Sequence, residues 1–305
     1  AIEELYHSVL EAKRTHKLSH RLNIHELPFF GRKQELSQLE EYLSLVETGE
    51  AVGPFLVMGQ SGTGKKRLLR QLVLMSNRSF NFIKVEGRAT SQHYEGSSWN
   101  DLRQALEKLG DEMGISLLEE EDDLISVWNQ LQGLSKEKPL LILLENAQWI
   151  DAVSLEKVKQ LEERRNQEKW QLIFTAEEPL PASFVNFLGS LKVEKRLSQL
   201  ELTNFDPSES RALLKGELGA IEPAVMEQMV EWSEGSPFLL SSYIEEWKEN
   251  ENLEPLPDII QAYLSQELGD MSSEEEALLH YLSCFHKPIS LSILAELTAT
   301  ELPVL

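Results

Sequence analysis

Residues 54–70, PFLVMGQSGTGKKRLLR, hold the stretch that decides the fold of this chain. The apolar run at 54–58 has the length and flanks of a buried strand, and it leads directly into Gly59. The pattern GxxxxGK runs from Gly59 to Lys65, and an amphipathic helix follows it. In this context glycines let backbone amides wrap a phosphate at a helix N-terminus, and the lysine neutralises its charge. The stretch therefore predicts a P-loop, with a glycine-rich turn that binds no ligand as the alternative.

The candidate phosphate-binding residues of this loop are those that offer backbone amides, a hydroxyl or a positive charge: Gly59, Ser61, Gly62, Thr63, Gly64, Lys65, Lys66 and Arg67. Lys66 departs from the usual P-loop, in which a Ser or Thr hydroxyl at this position ligates Mg²⁺. An ammonium cannot ligate a cation. We therefore expect weakened magnesium binding, unless Thr63 or water takes that place.

A second candidate segment follows the apolar run at 139–144. Glu145 ends this predicted strand, where a carboxylate can face Mg²⁺ across the phosphates, so it is the metal and catalytic candidate. Asn146 stands where a hydrolytic site needs a second carboxylate to polarise water, and an amide cannot accept a proton. Asp151 is the remaining nearby carboxylate. It is either a second catalytic candidate or the N-cap of the following helix.

The order of apolar runs along the chain indicates the fold class. Further strands are predicted at 82–85, 170–175 and 196–202, and helical patterns of ten or more residues separate them. This alternation predicts an α/β fold with a doubly wound, mostly parallel P-loop sheet at 28–203. Purely helical patterns predict a lid domain at 204–270 and the start of a further helical domain, for which a winged helix is one candidate, at 271–305. The helical spacing of apolar residues near the start of the chain predicts a linker helix at 1–27.

Composition narrows the class of partners. The 305 residues carry a formal net charge of −22, which repels nucleic acid and anionic membranes at long range. The single cysteine excludes internal disulfides and fits a reducing compartment, and no apolar run approaches the roughly 20 residues that span a bilayer. We therefore expect a cytoplasmic protein without direct nucleic-acid or membrane contact, whose partners are a nucleotide, other domains of a larger chain and other proteins.

Four motifs in this order resemble the STAND class of AAA-like P-loop ATPases, which includes bacterial regulators of the LuxR and antibiotic-regulatory types. The first is the segment at 29–36, whose Phe30, Gly31 and Arg32 the resemblance implies at the adenine. The P-loop and the segment at 145–151 follow. The last is the segment at 234–240, where Pro237 is implied to pack near the base.

Three departures from the family pattern each remove hydrolytic chemistry: Lys66, Asn146, and the segment at 175–178, which lacks the family's phosphate-sensing arginine. The resemblance therefore implies an ATP- or ADP-binding regulatory switch of a multidomain transcriptional regulator or signalling protein, with weak or absent hydrolysis. Two alternatives stay open. One is a degenerate scaffold for protein interaction that binds no nucleotide, and the other is an active ATPase.

Overall fold

The structure, a computed structural model, describes residues 27–50, 52–90, 94–115, 123–165, 169–193, 197–251 and 253. Leu27–Leu240 form one compact unit. The other unit contributes only 241–251 and 253 to the described residues. The predicted linker helix at 1–27 and the predicted domain at 271–305 thus lie outside the described residues, apart from Leu27. The boundary predicted at 203/204 falls inside the first unit and stays a prediction.

Five strands form one fully parallel sheet: β1 Phe55–Gly59, β2 Asn81–Glu86, β3 Leu140–Glu145, β4 Trp170–Ala176 and β5 Ser198–Leu202. Their spatial order is β2-β3-β4-β1-β5. The phosphate-loop strand β1 therefore lies between β4 and β5, and the carboxyl ends of all five strands meet at one edge. The predicted α/β class is confirmed, and the predicted strands differ from these bounds by one or two residues.

The helices of the described residues are α1 Lys33–Thr48, α2 Lys65–Ser76, α3 Ser97–Met113, α4 Asp123–Leu134, α5 Ala152–Arg164, α6 Ala182–Val193, α7 Pro207–Leu218, α8 Pro223–Ser233 and α9 Pro237–Asn250. A short 3₁₀ turn, Ala147–Trp149, follows β3. Among the described helices, none has the length and hydropathy needed to cross a bilayer.

The central strands are largely apolar, as expected where helices cover both faces of a sheet, and the exceptions in β3 and β4 are Glu145, Gln171 and Thr175. Successive side chains of β3 point to opposite faces. Leu140, Ile142 and Leu144 pack in one core with α3, α4, α5 and α6, while Leu141 and Leu143 pack in a second core with α1 and α2. Two buried cores on opposite faces make the sheet a rigid platform for the loops at its carboxyl edge.

Candidate phosphate-binding site

The GxxxxGK loop forms a turn that leads from β1 into α2. Gly62 and Gly64 have φ values of 79° and 94°, a region that L side chains rarely adopt. Gly64 is the N-cap of α2 and makes no side-chain cap hydrogen bond to the first turn. A helix N-terminus of this kind presents backbone amides and a positive dipole end, so the loop fits a phosphate. Gly59 has a packing role, because a Cβ there would lie 2.6 Å from the carbonyl oxygen of Leu202.

Lys65 is buried at the base of this loop, with 6% of its surface exposed. Its ammonium donates to the carbonyl oxygens of Gly59 at 2.8 Å and Gln60 at 2.9 Å. It also lies 2.9 Å from Oε2 of Glu177, the residue that follows β4. Thr63, a predicted ligand, is buried and donates its hydroxyl to the carbonyl of Gln60 at 2.8 Å.

Arg32 holds the loop from the N-terminal side. It is buried and takes a left-handed conformation at the start of α1, with φ 57°. Its Nη2 donates to the carbonyl oxygens of Thr63 at 3.2 Å and Thr203 at 2.6 Å, and its guanidinium lies 4.6 Å from the ring centroid of Phe205. The resemblance implies this residue at the adenine. The structure shows it joining the phosphate loop to the segment that follows β5.

The segment at 235–238 contacts the loop from the other side. The backbone N–H of Phe238 donates to the carbonyl of Gly62 at 3.2 Å, and a Cβ on Gly62 would lie 3.0 Å from Oγ of Ser236. Gly235 has φ 73°, and a Cβ there would come within 2.0 Å of the carbonyl oxygen of Phe205. Glycine is thus required at 235, because Phe205 packs directly on its backbone.

Glu145 and Glu86 lie side by side at the carboxyl ends of β3 and β2, where they are partners in the parallel register. Glu145 is buried, and its Oε2 lies 2.7 Å from Nζ of Lys84, without the geometry of a hydrogen bond. Glu86 pairs with Lys66 through a short hydrogen bond. Burial would raise the pKa of Glu86, but the hydrogen bond and charge of Lys66, with two further nearby cations, outweigh it and lower that pKa.

These residues do not fit the magnesium site of a usual P-loop. Lys66 places an ammonium at the position of the metal-ligating hydroxyl, and it is exposed and paired with Glu86. Glu145, the metal candidate, already faces the ammonium of Lys84.

Asn146 follows β3 in a left-handed conformation with φ 50°, which Asn and Asp adopt more readily than most residues. Its backbone N–H donates to the hydroxyl of Thr175 at 3.0 Å. Its carbonyl lies against Gly87, where a Cβ would come within 2.4 Å. Asn at position 146 thus suits the left-handed backbone conformation, and it also removes a carboxylate that could accept a proton.

Asp151 is a helix cap. Its side chain accepts hydrogen bonds from the N–H and hydroxyl of Ser154, and also from the N–H groups of Gly96 and Ser98 at the start of α3. Burial would raise the pKa of this carboxyl, but the hydrogen bonds outweigh burial and lower it. Of the two roles that the sequence leaves open, the structure favours the N-cap over catalysis, because both oxygens are used to join α3 to α5.

The remaining predicted site residues lie in this loop, in the first turn of α2, or in the segments at 30–32 and 235–238 that contact the loop. Ser61 is exposed within the turn, and Arg67 donates through Nη2 to the carbonyl of Pro28 at 2.9 Å. The ring of Phe30 meets that of Phe205 edge-on at 6.0 Å, and Gly31 also packs against that ring. Pro237 is the first residue of α9.

Sequence reasoning missed the residues that neutralise the charged groups of the site. The predicted second strand, 82–85, stops before Glu86 and includes Lys84 without assigning it a role in the site. Lys84 and Glu86 both lie on the face of β2 that Glu145 shares through its register. A lysine and a glutamate two apart at the end of a strand are the signal that was available.

The sheet order and the loop between β1 and α2 define a P-loop ATPase fold. Residues 28–174 match the family model of the AAA ATPase domain. No curated protein matches this sequence significantly.

Solved structures are similar to this chain over most of its length. A Walker-type ATPase of Pyrococcus abyssi has a TM-score of 0.62 and 18% identity, with 88% of each chain covered. The ORC2 protein of Aeropyrum pernix, described in ADPNP-ADP complexes, has a TM-score of 0.55 and 16% identity over 90% of this chain and 82% of its own. At these identities the likeness shows the fold alone.

A STAND protein of Pyrococcus horikoshii with a tetratricopeptide repeat sensor has a TM-score of 0.45 and 16% identity. The match covers 90% of this chain and 37% of that protein.

Proposed function

We propose that this chain is an ATP- or ADP-binding regulatory switch module of a cytoplasmic, multidomain bacterial protein that acts in transcription regulation or signalling, with weak or absent hydrolysis. One observation carries the proposal. The phosphate loop and Lys65 are formed and held from both sides, while the positions that serve hydrolysis in other P-loops hold ammonium–carboxylate pairs and an amide. Nucleotide binding is thus better supported than nucleotide hydrolysis.

Support for binding comes from the phosphate loop itself. The uncapped N-terminus of α2 and the buried ammonium of Lys65 are the two elements that hold the phosphates of a nucleotide in P-loops. The ORC2 structure described in ADPNP-ADP complexes shares the fold, which adds to the case for a nucleotide ligand.

Support for weak hydrolysis comes from the strand ends. Lys66 and Asn146 remove a metal-ligating hydroxyl and a proton acceptor, and Glu145 faces Lys84. We propose that nucleotide binds with little dependence on Mg²⁺, because the side chains that would hold the metal are paired with each other.

The switch role is supported by the contact between the phosphate loop and the segment at 235–238. A nucleotide bound to the loop would lie next to Gly62, whose carbonyl oxygen accepts a hydrogen bond from the N–H of Phe238. We propose that Pro237 and the segment at 30–32 flank the base, so that the nucleotide stabilises one arrangement of α9 over others. A ligand shifts such an equilibrium only by its difference in affinity for the two states.

An equilibrium titration with fluorescent ATP and ADP, in Mg²⁺ and in EDTA, tests the proposal. We expect dissociation constants in the micromolar range or below, and a change of less than about threefold when EDTA replaces Mg²⁺. Loss of affinity by about a hundredfold in EDTA would contradict the metal-independent mode. Absence of binding under both conditions would leave the scaffold alternative, which is favoured by one observation: the chain itself already supplies three acceptors to Lys65.

A further inference from the structure

The ammonium of Lys65 has no hydrogen-bonding capacity left over. It carries three donors, and it has three acceptors within 2.9 Å: two carbonyl oxygens of the loop and Oε2 of Glu177. A phosphate oxygen that binds this ammonium must therefore displace one of these acceptors or share a donor with it.

The three acceptors differ in how easily they move. The carbonyls of Gly59 and Gln60 belong to the backbone, and Gly59 is the last residue of β1, where it is the register partner of Leu202 in β5. Glu177 reaches the ammonium through a flexible side chain that is 28% exposed. Its carboxylate is the acceptor that a phosphate can replace, because both are anionic groups that make charge-assisted hydrogen bonds to an ammonium.

The charge balance around the loop makes this replacement matter. Three ammonium groups lie at the carboxyl edge of the sheet, and each is paired with one carboxylate: Lys65 with Glu177, Lys66 with Glu86, and Lys84 with Glu145. The six groups sum to zero. A usual P-loop instead offers its lysine and a metal ion to the phosphates, so this site has less positive charge to set against a polyphosphate.

The position of Glu177 relates to the outermost phosphate. The P-loop lysine reaches the β- and γ-phosphates of a bound triphosphate. Glu177 lies one hydrogen bond from that ammonium, so a γ-phosphate enters beside a carboxylate of like charge. A diphosphate lacks the γ-phosphate, so the carboxylate of Glu177 repels it less than it repels a triphosphate.

We propose that Glu177 makes this site selective for a nucleoside diphosphate over the matching triphosphate, because its carboxylate holds Lys65 where a γ-phosphate would otherwise bind. The inference rests on the proposed nucleotide-binding function and adds to it the form of nucleotide that the free protein prefers. A purely structural ion pair would instead change the affinities for both nucleotides by the same factor when it is removed.

Isothermal titration of the full chain with ADP and with a non-hydrolysable ATP analogue, in EDTA, tests this inference. We expect wild type to bind ADP about tenfold more tightly than the analogue. Glu177→Gln keeps the shape of the side chain and removes its charge, and it should narrow the ratio to about twofold, chiefly by raising affinity for the triphosphate. Glu178→Gln is the matched control, because it removes one charge at the adjacent exposed residue and should keep the wild-type ratio.

A wild-type ratio near one, an unchanged ratio in Glu177→Gln, or equal narrowing by Glu178→Gln would each overturn the inference while leaving nucleotide binding intact. Failure of wild type to bind either nucleotide would instead overturn the proposed function, and the inference with it. Thermal melting confirms folding of each variant, and Glu177→Ala replaces Glu177→Gln if that variant does not fold.

Discussion

The phosphate loop and the carboxyl ends of β2 and β3 lie at the same edge of one sheet, but they are built differently. The carbonyl oxygens of the loop accept hydrogen bonds: the side chain of Arg32 donates to Thr63, and the backbone N–H of Phe238 donates to Gly62. At the strand ends the contacts are between charged side chains: Glu86 with Lys66 of α2, and Glu145 with Lys84. The four side chains of the strand-end pairs include two that are half exposed, and exposed pairs add little stability.

The difference separates two properties that other P-loops combine. A loop whose carbonyl oxygens are held by contacts within the chain has its backbone amides in position for a phosphate. The proposal of weak hydrolysis rests on the strand ends, where the carboxylates Glu86 and Glu145 are paired with lysines. Substitutions in the two regions should therefore have different kinds of effect, and the predictions below test that separation in order of expected size.

Lys65→Ala should have the largest effect. The proposed function has this buried ammonium make charge-assisted hydrogen bonds to phosphate, so its removal should raise the dissociation constant for ADP by about a hundredfold. Calorimetric titration measures this change, and circular dichroism checks the fold. Lys66→Ala is the matched control, since Lys66 is exposed, and we expect it to change the affinity by less than about threefold. Equal losses in both variants would show that the two lysines do not differ as the structure indicates.

Asp151→Ala should affect stability rather than binding. The variant loses an N-cap and leaves two N–H groups at the start of α3 without their acceptor, so the free energy of unfolding should fall by about 2 kcal/mol. Urea unfolding at pH 7 measures it. A fall of less than about 0.5 kcal/mol would mean that this carboxylate does not join α3 to α5 as described.

The pH dependence of that difference follows from the lowered pKa of Asp151. The carboxylate stabilises the folded state at pH values above its unfolded pKa of about 3.9, and this contribution is lost as pH falls through the lower folded pKa. The gap between wild type and Asp151→Ala should therefore narrow below about pH 4. A gap that stays constant from pH 7 to pH 3 would assign the effect to packing.

Restoring the missing groups should raise turnover modestly. Wild type should release phosphate from Mg-ATP far more slowly than about 1 per second, and the double variant Lys66→Ser with Asn146→Asp should be about tenfold faster. The backbone of residue 146 tolerates the change, since Asp also adopts the left-handed conformation. Each single variant should gain less than about twofold, because the two groups act together. Wild-type turnover in the ordinary range would show that other residues supply this chemistry.

Pro237→Gly should have the smallest effect. Proline pre-sets the first turn of α9, and glycine there loosens the segment whose N–H binds the phosphate loop. We expect affinity for ATP to fall about threefold and the thermal stabilisation by ATP to shrink with it. Pro223→Gly, at the start of α8, is the control for loss of a helix-starting proline and should leave affinity unchanged. If both variants behave alike, the segment at 235–238 does not report on the nucleotide.

The fold could be predicted from the sequence because its strongest signals are local. The strand at 140–145 is apolar at every position except its end, which indicates helices on both faces, and the glycine-rich turn lies directly after another such strand. Each of these signals comes from residues that are adjacent in sequence, so it predicts the local structure directly. The N-cap at Asp151 is also a local signal, and the sequence predicts it as one of two roles for this residue.

The partners within the site could not be predicted, because they come from distant parts of the chain. Lys65 and Glu177 are 112 residues apart, and Arg32 and Thr203 are 171 apart. No periodicity connects such positions, and side-chain charge alone does not say which lysine meets which glutamate. Glu177 stood in the sequence as a departure from a family pattern, and only the sheet order brings it beside β1.

The position of β1 between β4 and β5 has a consequence for the order in which this protein acquires its site during synthesis. Residues 59–65 are synthesised before the strands on either side of β1, which end at Ala176 and Leu202, and before the loop's partner Phe238. Contacts so distant in sequence form late and slowly. The phosphate loop of a growing chain therefore takes its final shape only after residue 238 has been made, so a nucleotide would meet a finished fold rather than guide its formation.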